Sequence, residues 1–307
     1  MPDPTDLSAH STSNPYIGRF APSPTGPLHM GSLMAAMASF LDARSRGGKW
    51  LVRMEDLDPP RETREAADDI LFALEKLHLQ WDESVLYQSQ RYPAYQEAIT
   101  TLAQAQQVFG CDCTRQQIQE SHGVYPGTCR DRQLQEASGI ALRCKVSGEP
   151  IIFNDKLQGK QQQNLELDVG DFVIKRKDGL FAYQLAVVVD DAFQNITDIV
   201  RGIDLMDSTA RQIRLQQLLG LPQPNYVHVP VIVNEQGQKL SKQHMASPID
   251  TSRPVELLVE SLKFLQQSPE KGLAECSPEE ILDWGIRHWN PDNLINLSEL
   301  QEFQPDP

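Results

Sequence analysis

The sequence lacks any apolar run approaching the roughly 18 residues of a membrane-spanning helix. Its start, MPDPTDLSAHSTSNP, is polar and Pro/Ser-rich and has none of the basic-then-apolar pattern of a secretory leader. These two absences lead us to expect a protein that contacts no membrane and stays in the cytoplasm. An excess of positive charge is also missing. The 28 basic residues face 42 acidic ones, for a net charge of −14, which excludes a protein that coats nucleic acid or an anionic membrane by bulk charge. A local basic groove stays open, because residues 254–307 hold 11 acids against 3 bases, whereas Tyr16 to Glu65 holds seven bases against six acids. Cysteine is scarce and odd in number, at five, which argues against a disulfide framework in a reducing compartment. Internal repeats and low-complexity tracts are absent.

What is present suffices for about two domains of roughly 150 residues each, with 307 residues that are 40% hydrophobic. Residues 1–15 read as a disordered lead-in. A short buried strand, YIGRF from Tyr16 to Phe20, then runs into the loop APSPTGP. From Gly31, Leu33, Met37, Phe40 and Leu41 recur at helical spacing, until Gly47 and Gly48 stop the helix. KWLVRMED is a second strand, and Ile70, Leu71, Leu74 and Leu77 mark a second helix. Strand, helix, strand, helix is the pattern of an α/β, doubly wound parallel sheet of Rossmann type. Residues 16–109 hold its first half. A third helix lies around Tyr95 to Gln107, and residues 110–182 read as an inserted α+β module with the cysteine cluster and strands at ALRCKV and DFVIKR. In 183–235 the α/β pattern resumes, with LAVVVDD as a strand, DIVRG as a second, a helix from Ser208 to Leu219 and the strand YVHVPVIV. Residues 236–307 complete the chain as a lysine-bearing loop and an acidic, mostly helical piece.

The first strand and its glycine-containing loop deliver His29, Gly31 and Ser32 to the N-terminal end of a helix, a natural anion site. Backbone N–H groups and the helix dipole favour phosphate there, Gly31 permits close approach, and His29 can donate to a developing phosphoryl charge. A Pro-rich structural turn is the alternative reading of the loop by itself. RFAPSPTGPLHMGS resembles the nucleotide-binding motif of class I aminoacyl-tRNA synthetases, in the form used by the glutamate-specific group, with Ser32 where many members have a second histidine. Further on, GQKLSKQ resembles the second motif of the class, with Lys239 and Lys242 at its lysines and Gln243 at its final serine. Adenylate formation is an in-line attack of a carboxylate on the α-phosphate, so it needs positioning and cations on the leaving pyrophosphate. Lys242 takes that role in this reading, beside Lys239 and His29, with ATP and its Mg²⁺ held by His29, Gly31, Ser32 and Lys242.

Three side chains occupy strand ends that face the crevice of such a sheet: Arg19, Glu55 and Arg201. Two arginine forks and one glutamate suit a ligand with two carboxylates and an ammonium, which describes glutamate. In isolation, each would be read as a surface ion pair. The resemblance to glutamyl-tRNA synthetases implies the same pocket residue by residue, through Arg19, Phe20, Ala21, Pro22 and Ser23, then Glu55, Tyr183 and Arg201. Val187 stands where those enzymes commonly have asparagine.

Cys111, Cys113 and Cys129 crowd together, with Tyr125 four residues before the last. Spacing alone leaves open both a metal site, with His122 available as a fourth ligand, and buried free thiols. The resemblance implies one structural Zn²⁺ on Cys111, Cys113, Tyr125 and Cys129. Cys144 and Cys276 stand apart and read as inert.

The chain continues for 65 residues beyond Lys242, whereas full glutamyl-tRNA synthetases carry a large helical anticodon-binding region there. The resemblance therefore points to their truncated paralogues, without an anticodon-binding domain and with only a short helical stem-contact piece. It implies activation of L-glutamate by ATP without tRNA, then transfer to the queuosine base in the anticodon of tRNA(Asp), by a monomer. Three alternatives stand beside it: a glutamate ligase for another amine or RNA, a nucleotidyltransferase of similar fold, and a non-catalytic synthetase-like RNA-binding or regulatory protein.

Overall fold

A computed structural model describes residues 15–59, 61–234 and 247–301. The expected lead-in, apart from Pro15, and both lysines of the second motif lie outside these residues.

β1 (Ile17–Phe20) runs into α1 (Met30–Ser45), and β2 (Lys49–Met54) lies parallel to β1 in the register Ile17↔Lys49 to Phe20↔Val52. α1 is buried almost all round, from Leu33 and Met34 to Leu41 and Ala43, so its small and apolar residues pack on the sheet and beneath a further layer. The return to β2 needs glycine at position 48, since a Cβ there would sit 2.6 Å from the Tyr16 carbonyl oxygen. α2 (Arg64–Lys76), capped by Thr63, leads to β3 (Leu86–Tyr87) on the far side of β2.

α3 (Tyr92–Gln104) precedes β4 (Val108–Cys111), α4 (Arg115–Gln119) and β5 (Ala141–Cys144). Then come the hairpin β6 (Ile151–Asp155) and β7 (Gly159–Gln163), α5 (Leu165–Asp168) and β8 (Phe172–Lys175). The strands of this region divide. β4, β5 and β8 form an antiparallel sheet of their own, whereas β6 pairs with a later strand, Asn225–Val229.

α6 (Tyr183–Phe193) is a helix where LAVVVDD suggested a strand. Leu185 to Val188 are all buried, and a run buried on every side carries no period by which to tell the two apart. The adjacent acids Asp190 and Asp191 bond to different arginines, Arg91 and Arg19. β9 (Asp198–Gly202), α7 (Met206–Leu219) and β10 (Asn225–Val229) follow. The expected strand YVHVPVIV is split at Pro230, which has no N–H for a ladder, and β11 (Val231–Val233) turns to a different neighbour.

β1 and β9 meet where Thr197 N–H donates to the Ile17 carbonyl at 2.9 Å. This sets the order β3-β2-β1-β9-β10-β6, with β7 antiparallel at the edge. The switch point between β1 and β9 opens a crevice at the carboxyl ends of the strands. α8 (Pro254–Phe264) and α9 (Pro278–His288) cover α1, and β12 (Glu299–Gln301) pairs with β11. The acidic C-terminal piece is thus part of the core: Leu258, Leu262 and Ile281 bury against α1, and Trp289 Nε1–H donates to the buried Asp42 at 3.0 Å. No helix among the described residues is long and apolar enough to cross a membrane.

Candidate active site

A cavity of about 940 Å³ lies where β1, β2, β9 and β10 end, a volume within the range of small-ligand sites. Arg19 to Ser23 line it from β1, with Glu55 just past β2, Arg201 on β9 and Tyr183 at the start of α6. His29, Gly31 and Ser32 line it from the start of α1. Val187 does not; it is buried in the second core, around α6 and α7.

His29 is the N-cap of α1, its Nδ1 accepting from Ser32 N–H at 3.2 Å. Ser32 Oγ lies 2.9 Å from Nε2 of the same ring. With Nδ1 accepting, a neutral imidazole keeps its proton on Nε2 and donates it to Ser32 Oγ, so the hydroxyl proton can turn toward a ligand. The N-terminus of α1 supplies further backbone donors, an arrangement suited to an anion.

Arg19 does not stand alone. Its Nε–H donates to Asp191 Oδ1 at 3.1 Å, Arg53 Nη1–H reaches the same oxygen at 2.8 Å, and Arg53 Nη2 lies 3.4 Å from Glu55 Oε1. A buried chain of alternating charge therefore joins the two side chains expected around an amino-acid head. Burial raises the Asp191 carboxyl, but the Arg19 and Arg53 guanidiniums outweigh it and hold the group below its ordinary value. For Glu55 the balance is opposite: burial pushes its carboxyl up to about 7 against the pull of Arg53 and Arg19. Gln88, also fully buried, lines the cavity and donates to Asp190 at 3.0 Å. Asp190 in turn accepts from the Tyr95 hydroxyl at 2.6 Å and from Arg91 Nε–H at 3.0 Å.

Arg201 contrasts with Arg19. Its partners among the described residues are neutral: His228 Nε2 at 3.1 Å, Gln212 Oε1 at 2.9 Å, Thr209 Oγ1 at 2.8 Å, and more distantly the Tyr183 hydroxyl and the Leu205 carbonyl. A cation 4% exposed with neutral partners, facing a cavity, calls for an anionic ligand. Burial raises the Tyr183 phenol above its ordinary value, so it stays a neutral donor.

Lys239 and Lys242 fall outside the described residues, but both flanks of that segment reach the cavity. Val231 and Ile232 line it on one side, and on the other Ile249 N–H donates to the Leu28 carbonyl at 3.0 Å, next to His29.

The Sγ atoms of Cys111, Cys113 and Cys129 lie within 4.8 Å of one another, with Cys113 and Cys129 3.5 Å apart. A zinc tetrahedron with bonds of about 2.3 Å has sulfur–sulfur edges of about 3.8 Å, so the three thiols fit one ion. The Tyr125 hydroxyl accepts the Cys129 N–H at 2.9 Å and bonds the Cys111 thiol, which puts it in the cluster; His122 lies outside the group. Gly170 (φ +71°) permits this packing, since a Cβ there would sit 2.3 Å from the Tyr125 carbonyl oxygen. Burial raises the Cys111 thiol, but Tyr125 and Arg143 outweigh it and lower the group, while burial and the neighbouring thiols push Cys113 up to about 11. Cys144 is buried apart, its thiol raised to about 12 by burial.

Sequence reasoning missed Arg53, Asp191, His228 and Asp155. Only Arg53 carried a legible signal, two residues before Glu55 along the line of a strand.

A family model described as tRNA synthetases class I (E and Q), catalytic domain, matches residues 17–257. The chain belongs to that family, and it is a ligase. Glutamyl-Q tRNA(Asp) synthetase of Pseudomonas aeruginosa is 49% identical over 94% of the chain and 98% of its own length. Its counterpart in Pseudomonas fluorescens is 50% identical over 96% and 98%. Within the class, the chain belongs with the glutamyl-Q tRNA(Asp) synthetases. The crystal structure of glutamate-tRNA synthetase from Elizabethkingia anophelis has the same fold, with a TM-score of 0.77 at 23% identity, over 93% of this chain and 68% of that one.

Proposed function

We propose that this protein activates L-glutamate with ATP and Mg²⁺ to glutamyl-adenylate in the absence of tRNA, then transfers glutamate to the queuosine base in the anticodon of tRNA(Asp). The observation that carries the amino-acid choice is Arg201, a buried cation with neutral partners that faces the cavity. It meets the side-chain carboxylate of glutamate, and Tyr183 adds a donor. Arg19 takes the α-carboxylate and Glu55 the ammonium, beside Phe20 to Ser23. Glutamine would bring an amide whose NH₂ opposes the N–H groups of Arg201, leaving a buried charge without an anion.

Catalysis is positioning and charge stabilisation. The cradle of His29, Gly31, Ser32 and the α1 N-terminus holds the phosphates of ATP, so that the glutamate α-carboxylate attacks the α-phosphate in line and pyrophosphate leaves. The Ser32 hydroxyl, held by His29 Nε2–H, donates to the phosphoryl oxygens. Lys242, with Lys239, neutralises the leaving pyrophosphate, a role that rests on the sequence of the second motif and on the anchoring of both its flanks at the cavity. Cys111, Cys113, Tyr125 and Cys129 hold one Zn²⁺, which has four protein ligands and no open position, and therefore a structural role. The protein works in this reading as a cytoplasmic monomer.

The acceptor rests on the relatives at half identity, whose name specifies it. Transfer of labelled glutamate to tRNA(Asp) with and without queuosine tests it: label should appear only on the modified tRNA, and equal transfer to both would refute the modified-base assignment.

A further inference from the structure

Behind Arg201 runs a second buried chain. Arg201 Nε–H donates to His228 Nε2 at 3.1 Å, and His228 Nδ1 lies 2.6 Å from Asp155 Oδ2. The histidine and aspartate side chains are fully buried. Asp155 comes from β6, the strand that joins the central sheet from within the region of the cysteine module.

The hydrogen bonds fix the tautomer. A guanidinium only donates, so His228 Nε2 must accept, and a neutral ring then carries its proton on Nδ1 and gives it to Asp155. Burial lowers the pKa of His228 against the pull of Asp155, which favours that neutral ring. The charged and titratable groups that face His228 are Asp155 on β6, Arg201 on β9, Asp204 just after β9, and Tyr226 stacked at 6.2 Å on β10. Asp155 is fixed in turn: Oδ1 accepts the backbone N–H groups of Leu157 at 3.0 Å and Gln158 at 2.9 Å, and Oδ2 that of His228 at 3.1 Å.

We propose that Asp155 and His228 are positioning residues that hold the Arg201 guanidinium plane toward the cavity, and so set the preference for a carboxylate over its amide. This rests on the reading in which Arg201 meets the side-chain carboxylate of glutamate. A carboxylate bound directly to Arg201 would orient it equally well but would neutralise it. A neutral imidazole backed by a buried aspartate orients the guanidinium and leaves its charge for the ligand.

Asp155→Asn makes the test sharp. Oδ1 accepts two backbone N–H groups and lies 3.3 Å from that of His228, which it can take over, so the amide oxygen belongs there and the NH₂, in the place of Oδ2, donates to His228 Nδ1. The ring proton then moves to Nε2, where Thr209 Oγ1 at 3.3 Å can accept it, but Arg201 Nε–H loses its acceptor and faces a donor, so the guanidinium turns. In ATP–pyrophosphate exchange on the full chain, Asp155→Asn should raise KM for glutamate at least tenfold and reduce the preference for glutamate over glutamine at least tenfold. KM for ATP should stay within twofold. His228→Leu should act likewise, and His228→Gln, whose Oε1 can replace Nε2 as acceptor, should recover most of that loss. If Asp155→Asn fails to fold, the two His228 variants carry the test. A folded Asp155→Asn with unchanged glutamate KM and preference overturns the proposal, as do equal losses for glutamate and ATP or a His228→Gln no better than His228→Leu. A wild type without glutamate-dependent exchange removes the underlying reading as well; an active wild type beside an unaffected variant removes the positioning role alone.

Discussion

Glu55 should link stability to substrate binding through one proton. The residue is 7% exposed, and burial lifts its carboxyl from 4.5 to about 7. At about 1.36 kcal/mol per pKa unit, ionising Glu55 in the folded apoprotein costs roughly 3 kcal/mol. The sign follows from linkage: between pH 4.5 and 7 the folded state holds a proton that the unfolded chain has released, so folding stability falls as pH rises through that window. The contribution is fully present below the lower value and lost above the upper one. Glu55→Gln keeps the shape without the ionisation, and its amide oxygen can still face Arg53. In urea unfolding at pH 8 the variant should exceed the wild type in stability by roughly 2–3 kcal/mol, and the difference should shrink toward zero near pH 4.5. Activity should move the other way. A substrate ammonium buried against a neutral amide loses a partner worth roughly 3–5 kcal/mol, so glutamate KM should rise at least about a hundredfold. In the wild type, glutamate KM should climb about tenfold per pH unit below pH 7, because the ammonium needs the ionised carboxylate. Equal stability of the two proteins at pH 8, or a glutamate KM that is flat from pH 5.5 to 8, would refute this reasoning.

The cysteine cluster predicts about one equivalent of zinc by metal analysis, lost in a Cys111→Ser/Cys113→Ser variant; a folded wild type without metal would remove the site. Gly170→Ala places a Cβ against the Tyr125 backbone at a positive φ and should lower stability by about 1–3 kcal/mol. It should also reduce zinc content, and a variant matching the wild type in both would show that the two segments are not held as described. Arg201→Met should abolish glutamate-dependent exchange while costing the apoprotein less than about 2 kcal/mol, because a buried charge leaves with the lost hydrogen bonds. Denaturant unfolding beside the exchange assay checks this, and retained exchange would contradict the role of Arg201.

The first half of the fold was legible because α2 carries a clear helical period and because glycine and proline punctuation, such as Gly47 and Gly48, separates β1, α1, β2 and α2. The residues that line the cavity were legible for a related reason: Arg19, Glu55 and Arg201 sit at strand ends, where a parallel sheet gathers them. Helix α6 was not, since its apolar run is buried on all sides and leaves no period to read. Nor could Pro230 be seen to divide one strand between two neighbours until both partners were in place. The supporting residues were harder still. Arg53, Asp191, His228 and Asp155 come from β2, α6, β10 and β6; apart from the spacing of Arg53 to Glu55, nothing local announces the buried ion chain or the Asp–His–Arg chain. The net negative charge was legible as a property of the C-terminal piece; that this piece folds onto α1 was not.

The central claim is that this cavity selects and activates glutamate without RNA. ATP–pyrophosphate exchange with glutamate, glutamine and aspartate, and no RNA added, tests it most directly. Exchange with glutamate well above that with the other two is the predicted result; exchange absent with glutamate, or stronger with glutamine, would contradict it.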